Sequence, residues 1–155
     1  MATFVLDHTD RRLLALLQAN NRRRLRDLAD ELGISAPTCL RRMRRMESAG
    51  VIRSHTALVD PNRVGYAVMA FVEVSLVNAS GSEMAAFERR MTRSPEVLQC
   101  SEISGEVDYV LTVIARDLRE FGEFTHLQLA NDRHVRSYRS LLVLRQTKSD
   151  HIVPI

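Results

Sequence analysis

The sequence predicts an α+β protein of two domains, a helix-turn-helix domain followed by a ferredoxin-like βαββαβ domain. Three observations support this fold class. Three short segments with helical apolar spacing fill the first fifty residues, and the third of them is rich in arginine. From Tyr66 onward, strand-like alternation takes turns with helical spacing. A chain of 155 residues is long enough for two small domains.

The first two predicted helices lead into a tight turn. Residues 9–20 carry four leucines at helical spacing, with Asp7 or Thr9 as the capping residue. Residues 25–32 repeat the pattern over a shorter length, and Gly33 ends it. The connection formed by residues 33–35 is short and contains glycine, which is typical of the joint in a helix-turn-helix.

The third predicted helix has two chemically opposed faces. Ser35 is a good N-cap, Pro37 is tolerated in the first turn, and Gly50 provides the C-terminal cap. At about 100° per residue, one side is apolar and consists of Cys39, Leu40, Met43 and Met46. The other side consists of Thr38, Arg41, Arg42, Arg44 and Arg45. Such a helix suits the major groove of DNA, although an arginine-rich face can also be merely solvated.

Charge is divided unevenly along the chain. The first 60 residues contain 11 Arg and no Lys against 7 Asp and Glu, and the remaining 95 contain 11 Lys and Arg against 12 Asp and Glu. This asymmetry predicts a polyanion-binding module attached to a domain with another task. Four arginines around the start of the second helix are candidate phosphate contacts or, alternatively, a solubilising cluster: Arg22, Arg23, Arg24 and Arg26.

Several classes of protein do not fit the sequence. No apolar run approaches the roughly 20 residues that span a bilayer, and no secretory signal is visible, so we expect a cytoplasmic protein. Cys39 and Cys100 lie among apolar neighbours and are expected in the core, not in a disulfide. The histidines lack metal-ligand spacing, and Walker, CxxC and dinucleotide-binding motifs are absent. We therefore expect no catalytic residues, no metal and no cofactor.

The predicted boundaries divide the chain into four parts: residues 1–52, a hinge at 53–65, a second domain at 66–147 and a tail at 148–155. Within the hinge, Asp60 and Pro61 start a helical turn that ends near Gly65. The second domain is predicted to have strands at 67–77, 97–104, 109–115 and 135–144, with helices at 82–92 and 117–130. Five residues of the last helix are expected to face inward: Leu118, Phe121, Phe124, Leu127 and Leu129.

The second domain is expected to associate with a copy of itself. In the predicted arrangement both helices cover one face of a four-stranded antiparallel sheet. The strand at 67–77 has apolar residues on both alternations, so the other face also needs cover. Homodimerisation through the sheets would supply this cover, and a two-fold symmetric protein suits palindromic DNA.

Motifs spread over nearly the whole chain resemble one family. They include residues 6–10 (Leu-Asp-x-x-Asp), 27–29 (Asp-Leu-Ala), 33–35 (Gly-Ile-Ser), 39–47 (Cys-Leu-Arg-Arg-Met-Arg-Arg-Met-Glu), 50–52 (Gly-Val-Ile), 56–61 (Thr-Ala-Leu-Val-Asp-Pro), 95–97 (Pro-Glu-Val) and 104–109 (Ser-Gly-Glu-Val-Asp-Tyr). In order and spacing they resemble the Lrp/AsnC, or feast/famine, transcription regulators. The resemblance implies a winged-type helix-turn-helix, a hinge strand and a ferredoxin-like effector domain. It also implies dimers, often assembled into octamers, that bind a small amino acid between subunits.

The resemblance assigns an effector site to the second domain. Its signature is a glycine followed three positions later by an aspartate, here Gly105 and Asp108. Glycine lets backbone amides approach a carboxylate, and an aspartate can hold an α-ammonium group. The full candidate set is Ser104, Gly105, Val107, Asp108, Ser137, Tyr138 and Ser140. The alternative is that residues 105–108 form a hairpin turn and nothing more.

The sequence thus predicts a DNA-binding transcription regulator whose effector is a small amino acid. The predicted DNA-binding residues are Arg22, Arg24, Ser35, Pro37, Thr38, Arg41, Arg42, Arg44 and Arg45. One alternative is an architectural protein that coats DNA without a ligand. Another is a relative of the haem-pathway decarboxylases, which the resemblance also includes; the basic helix face favours DNA.

Overall fold

The computed structural model describes residues 4–78, 80–149 and 152–155. The first three residues of the predicted N-terminal domain, and residues 150 and 151 of the predicted tail, therefore lie outside the described residues. The chain divides into two compact units. The first contains the described residues up to Leu58 together with those from Lys148 onward, and the second runs from Val59 to Thr147.

The first unit is built on three helices. Their bounds are α1, His8–Ala19; α2, Leu25–Leu32; and α3, Ala36–Ser48. Asp7 caps α1, because its carboxylate accepts the Asp10 amide at 2.8 Å while the Asp10 carboxylate accepts the Asp7 amide at 3.2 Å. The buried apolar side chains of the three helices form one core: Leu13, Leu14, Leu17, Leu28, Ala29, Leu32, Cys39 and Met46.

Glycines end α2 and α3, as the sequence predicts. Gly33 and Gly50 have φ values of 67° and 71°, in the left-handed region that side chains disfavour. The residue after each glycine closes the helix: the Ile34 amide donates to the Ala29 carbonyl at 3.0 Å, and the Val51 amide donates to the Met46 carbonyl at 2.9 Å. Gly33 thereby sets the sharp turn between α2 and α3.

The start of α2, unlike the starts of α1 and α3, has no side-chain cap. Arg24 occupies the N-cap position, with φ −66° and ψ 142°, and its side chain makes no capping hydrogen bond. We expect Arg24→Ser to raise the free energy of unfolding by about 1 kcal/mol, because a serine hydroxyl can accept an otherwise unpaired amide of the first turn. Urea denaturation measures this change. Arg24→Ala is the control, since it removes the same charge without adding a cap; an equal gain in both variants would contradict the capping argument.

The C-terminal segment of the first unit packs against α1. The Gln18 side-chain amide donates to the Val153 carbonyl at 2.9 Å, and the Val153 amide donates to the Gln18 side-chain oxygen at 2.7 Å. This reciprocal pair resembles one rung of a β-ladder, with a side chain in place of one strand.

The second unit has the predicted βαββαβ order. Its elements are a 3-10 helix, Pro61–Val64; β1, Val68–Leu76; α4, Gly81–Arg93; β2, Val97–Glu102; β3, Tyr109–Ala115; α5, Leu118–Thr125; a π-helical turn, His126–Ala130; and β4, Val135–Leu142. The strands form one sheet in the order β2-β3-β1-β4, and all neighbouring strands are antiparallel. The ferredoxin-like prediction is confirmed. Within the described ranges, no helix is long and apolar enough to cross a membrane.

The last helix differs from its prediction in two places. Leu118 and Leu127, expected to face inward, are 62% and 66% exposed. Leu118 is the first residue of α5, immediately after the cap Asp117, where the helix has not yet reached the core. Leu127 lies in the π-helical turn, where i→i+5 hydrogen bonds put more residues in each turn and so move side chains away from the angular positions of a regular α-helix.

The two faces of the sheet have different surroundings. Alternate residues of β1, such as Val72 and Val74, are fully buried in a cluster that includes Phe87 of α4 and Phe121 of α5. The intervening residues lie on the opposite face, where Phe71 pairs in register with Leu141 of β4 and the two are 40% and 43% exposed. One face of the sheet thus forms the core with the helices, and the other leaves large apolar side chains exposed.

Candidate DNA-binding helix and effector cavity

The start of α3 presents polar groups on an exposed surface. The Ser35 hydroxyl accepts the Thr38 amide at 3.4 Å and donates to the Thr38 hydroxyl at 2.9 Å, so the N-cap is formed as the sequence predicts. Ser35 and Pro37 are exposed and Thr38 is partly exposed. Arg41 and Arg44 follow on the exposed surface of the same helix, and among the described residues neither makes an ion pair. These two guanidinium groups are available to an external anion.

Arg42 and Arg45 are placed differently from the sequence expectation. Arg42 donates to Asp10 at 2.8 Å and to Asp7 at 2.6 Å, and Arg45 donates to the other oxygen of Asp10 at 2.5 Å. Arg45 also lies 4.9 Å from the ring centroid of Phe4. The Arg42 side chain is only 24% exposed. Its position explains why: it is three residues after Cys39 and four before Met46, on the edge of the buried stripe.

The placement of Arg42 on the outer face of α3 is therefore wrong, and Arg45 is half-exposed with its charge already paired. Sequence reasoning also missed Asp10, which is fully buried. A signal was present, because Asp10 is spaced three, four and seven residues from Leu13, Leu14 and Leu17 and so belongs to the core stripe of α1.

The ion-pair network shifts the titration of its exposed members. The pKa of Asp7 is lowered, first by the hydrogen bond from the Asp10 amide and then by the Arg42 guanidinium. The pKa of Arg42 is raised by its bonds to Asp7 and Asp10. Both directions favour the charged forms of Asp7 and Arg42.

The arginines near α2 divide into paired and unpaired groups. Arg23 forms an ion pair with Glu31 at 2.5 Å. Arg22, Arg24 and Arg26 are exposed and, within the described part of the chain, make no ion pair. Three of the four candidate phosphate contacts, Arg22, Arg24 and Arg26, are therefore as available as Arg41 and Arg44.

A cavity of about 670 Å³ lies beside β4 in the second unit. Its lining consists of Glu73, Ser75, Ile103, Glu106, Val107, Arg136, Ser137, Tyr138 and Arg139. Three predicted effector residues, Val107, Ser137 and Tyr138, are among them. The other four, Ser104, Gly105, Asp108 and Ser140, do not line this cavity.

Asp108 has a structural task in this conformation. Its carboxylate accepts the Leu76 amide at 2.7 Å, where the register of β1 against β4 shifts between Ser75 and Leu76. Its backbone amide donates to the Val74 carbonyl at 3.0 Å, and its carbonyl accepts the Ile103 amide at 3.0 Å. Asp108 thus fixes the loop 103–108 against the end of β1, and this loop carries Val107 into the cavity.

The cavity contains charges of both signs. Glu73 is paired with Arg139 at 2.6 Å across β1 and β4. Arg136 and Glu106 are exposed, and neither forms an ion pair with another described residue. An unpaired cation and an unpaired anion that line the same cavity can bind the carboxylate and ammonium groups of a zwitterion. Sequence reasoning missed Arg136 and Glu106, although both flank predicted residues.

An arginine-bearing helix-turn-helix unit and a separate ferredoxin-like unit with a polar cavity define a ligand-regulated DNA-binding protein. The comparisons agree with this class. Residues 6–53 match a winged helix-turn-helix DNA-binding model, and residues 69–153 match the Lrp/AsnC ligand binding domain. The chain belongs to the Lrp/AsnC family of transcription regulators. The predicted family is confirmed.

Relatives and solved structures match over nearly the whole chain. The leucine-responsive regulatory protein of Rhizobium meliloti is 38% identical, covering 92% of each chain. An AsnC family transcriptional regulator from Agrobacterium tumefaciens has a TM-score of 0.88 and 32% identity, covering 96% of this chain and 97% of its own. The regulator NMB0573 of Neisseria meningitidis, solved with L-Met, has a TM-score of 0.89 and 32% identity over 97% of both chains.

Proposed function

We propose that this regulator reads DNA with α3 and changes its DNA binding when a small amino acid occupies the cavity of the second unit. The DNA-binding part of this proposal rests on Arg41 and Arg44, two exposed arginines without an ion-pair partner among the described residues. Both lie on the helix that follows the Gly33 turn. Side chains near the start of such a helix reach base edges in the major groove. Its activity is binding without catalysis, and its DNA target implies the cytoplasm.

The predicted DNA-binding residues fall into three roles in this proposal. Arg41 and Arg44 contact bases or nearby phosphates, supported by Ser35, Pro37 and Thr38 at the start of α3. Arg22 and Arg24 contact phosphates from the start of α2. Arg42 and Arg45 act indirectly, since their guanidinium groups are bound to Asp7 and Asp10.

The proposed effector site is the cavity beside β4. In our proposal Arg136 binds the α-carboxylate, Glu106 binds the α-ammonium, and Val107, Ser137 and Tyr138 contact the side chain. Asp108 supports the loop. L-methionine is the first ligand to test, because the similar Neisseria meningitidis regulator was solved with L-Met.

Assembly follows from the uncovered sheet face. Phe71 and Leu141 are large apolar side chains that are partly exposed on this face, and a second copy would bury them. We propose a homodimer that assembles further to an octamer. Light scattering with and without an amino-acid panel measures both steps; a monomer at micromolar concentration would contradict this assembly.

The proposed DNA recognition is tested with the wild-type protein. A duplex selected from a random pool should bind at least 10³-fold more tightly than a scrambled duplex of equal length and composition, as measured by fluorescence anisotropy. Equal, strongly salt-dependent binding to both duplexes would favour the architectural alternative. No binding to either at low ionic strength would contradict DNA recognition.

The proposed effector binding is tested by filling the cavity with a larger side chain. A thermal-shift panel of the twenty amino acids, led by L-methionine, should give a raised melting temperature in the wild type. Ser137→Phe should abolish this shift, because the new ring occupies the cavity. Ser140→Phe is the matched control on the same strand, since Ser140 does not line the cavity. The proposed effector binding is contradicted if no amino acid raises the melting temperature of the wild type, or if both variants respond as the wild type does.

A further inference from the structure

The buried carboxylate of Asp10 links α1 to α3. It is fully buried, and both of its oxygens are occupied: Oδ1 accepts Arg42 at 2.8 Å, while Oδ2 accepts Arg45 at 2.5 Å and the Asp7 amide at 3.2 Å. An unpaired carboxylate in this position would be strongly destabilising. The two guanidinium groups therefore have to stay close to it.

This arrangement fixes the rotation of α3. Arg42 and Arg45 are one turn apart, so their bonds to one carboxylate hold two points of the helix against α1. Arg41 directly precedes Arg42, and Arg44 directly precedes Arg45. Consecutive residues of an α-helix point about 100° apart, so Arg41 and Arg44 point in a different direction from the two paired arginines. Holding one pair inward keeps the other pair outward.

The same network lowers the charge that α3 presents to DNA. The helix carries four arginines, and Asp7 and Asp10 compensate two of them. Fewer free cations mean fewer phosphate contacts, and these contacts supply most of the affinity for unrelated sequences. Base contacts by Arg41 and Arg44 are unaffected by this compensation.

We propose that Asp10 is a positioning residue that sets DNA specificity: it orients Arg41 and Arg44 and withholds Arg42 and Arg45 from phosphates. This inference rests on the proposed function, namely DNA recognition by α3.

The first test replaces Asp10 with its neutral isostere. In Asp10→Asn, we expect binding to the scrambled duplex to strengthen several-fold and its salt slope to steepen by about one, because Arg45 becomes free to reach a phosphate. Binding to the selected duplex should stay near the wild-type value, so the specificity ratio should fall several-fold. A folded Asp10→Asn protein, checked by circular dichroism, with unchanged slope and ratio would overturn the proposal.

The second test remains decisive if Asp10→Asn does not fold. Arg44→Gln and Arg45→Gln remove one charge each from neighbouring positions of α3. Arg44→Gln should flatten the salt slope by about one, whereas Arg45→Gln should leave the slope unchanged and lower the specificity ratio. Equal flattening by both would show that Arg45 leaves Asp10 for DNA, and would overturn the proposal.

Failure of the proposed DNA recognition and failure of the proposed role of Asp10 give different results. If the wild type does not distinguish the selected duplex from the scrambled one, the proposed sequence recognition is contradicted. If the wild type distinguishes them and Asp10→Asn and Arg45→Gln both keep the wild-type specificity ratio, only the role of Asp10 is contradicted.

Discussion

Replacing both Arg41 and Arg44 with alanine is expected to weaken binding to the selected duplex by roughly 10²- to 10⁴-fold, since each lost arginine–base contact costs about 1–3 kcal/mol. The stability of the protein should not change, because neither guanidinium makes an ion pair within the described part of the chain. Fluorescence anisotropy at fixed salt measures the affinity, and thermal denaturation measures the stability.

A matched control comes from α4. Arg89→Ala with Arg93→Ala also removes two exposed arginines from one helix, and so produces the same change in net charge. We expect this control to bind the selected duplex within about threefold of the wild type, because α4 belongs to the second unit and not to the helix-turn-helix. Equal losses in both double variants would mean that net charge, and not α3, determines binding.

The second large effect concerns the core of the second unit. Phe87→Ala is expected to destabilise it by about 3–5 kcal/mol, because the ring is lost together with its packing and a cavity remains. Phe87 is 2% exposed, and its ring centroid lies 4.8 Å from that of Tyr109. The Arg90 guanidinium lies 5.3 Å from the Phe87 centroid, so a cation–π contact is lost as well.

Chemical denaturation of the full chain measures this loss. Leu118→Ala is the control, since Leu118 belongs to α5 of the same unit but is 62% exposed; its cost should stay within about 0.5 kcal/mol. If Phe87→Ala cost no more than this control, the ring would not belong to a packed core.

The helices and strands could largely be predicted from local patterns. The period of the apolar residues, the capping Asp7 and Ser35, and the terminating glycines are all features of short segments, and the structure confirms them. The strand at 109–115 has the predicted bounds, because its apolar residues, interrupted only by Thr112, lie between Asp108 and Arg116. The exposed Leu127 could not be predicted, since a π-helical turn has no clear signal in a single sequence.

The candidate sites were harder to predict because they depend on long-range contacts. Arg42 and Asp10 are 32 residues apart, and helical spacing within α3 alone does not show that a buried carboxylate lies opposite. Similarly, Asp108 bonds to Leu76 across 32 residues, so a motif that suggests ligand binding also contains a structural hydrogen bond. Val107, Ser137 and Tyr138 were predicted only through the family resemblance, since no local pattern shows that the loop between β2 and β3 lines one cavity with β4, from which β1 separates those strands in the sheet.

The pairing of Gln18 with Val153 has a topological consequence. Since residues from Lys148 onward belong to the first unit, the second unit is an insertion within the first and has two covalent connections to it. Cutting the backbone once, at Leu58, would leave the two units joined through the second connection. A fragment containing only the three helices would lack Val153, the hydrogen-bonding partner of Gln18. It would therefore be an incomplete version of the first unit.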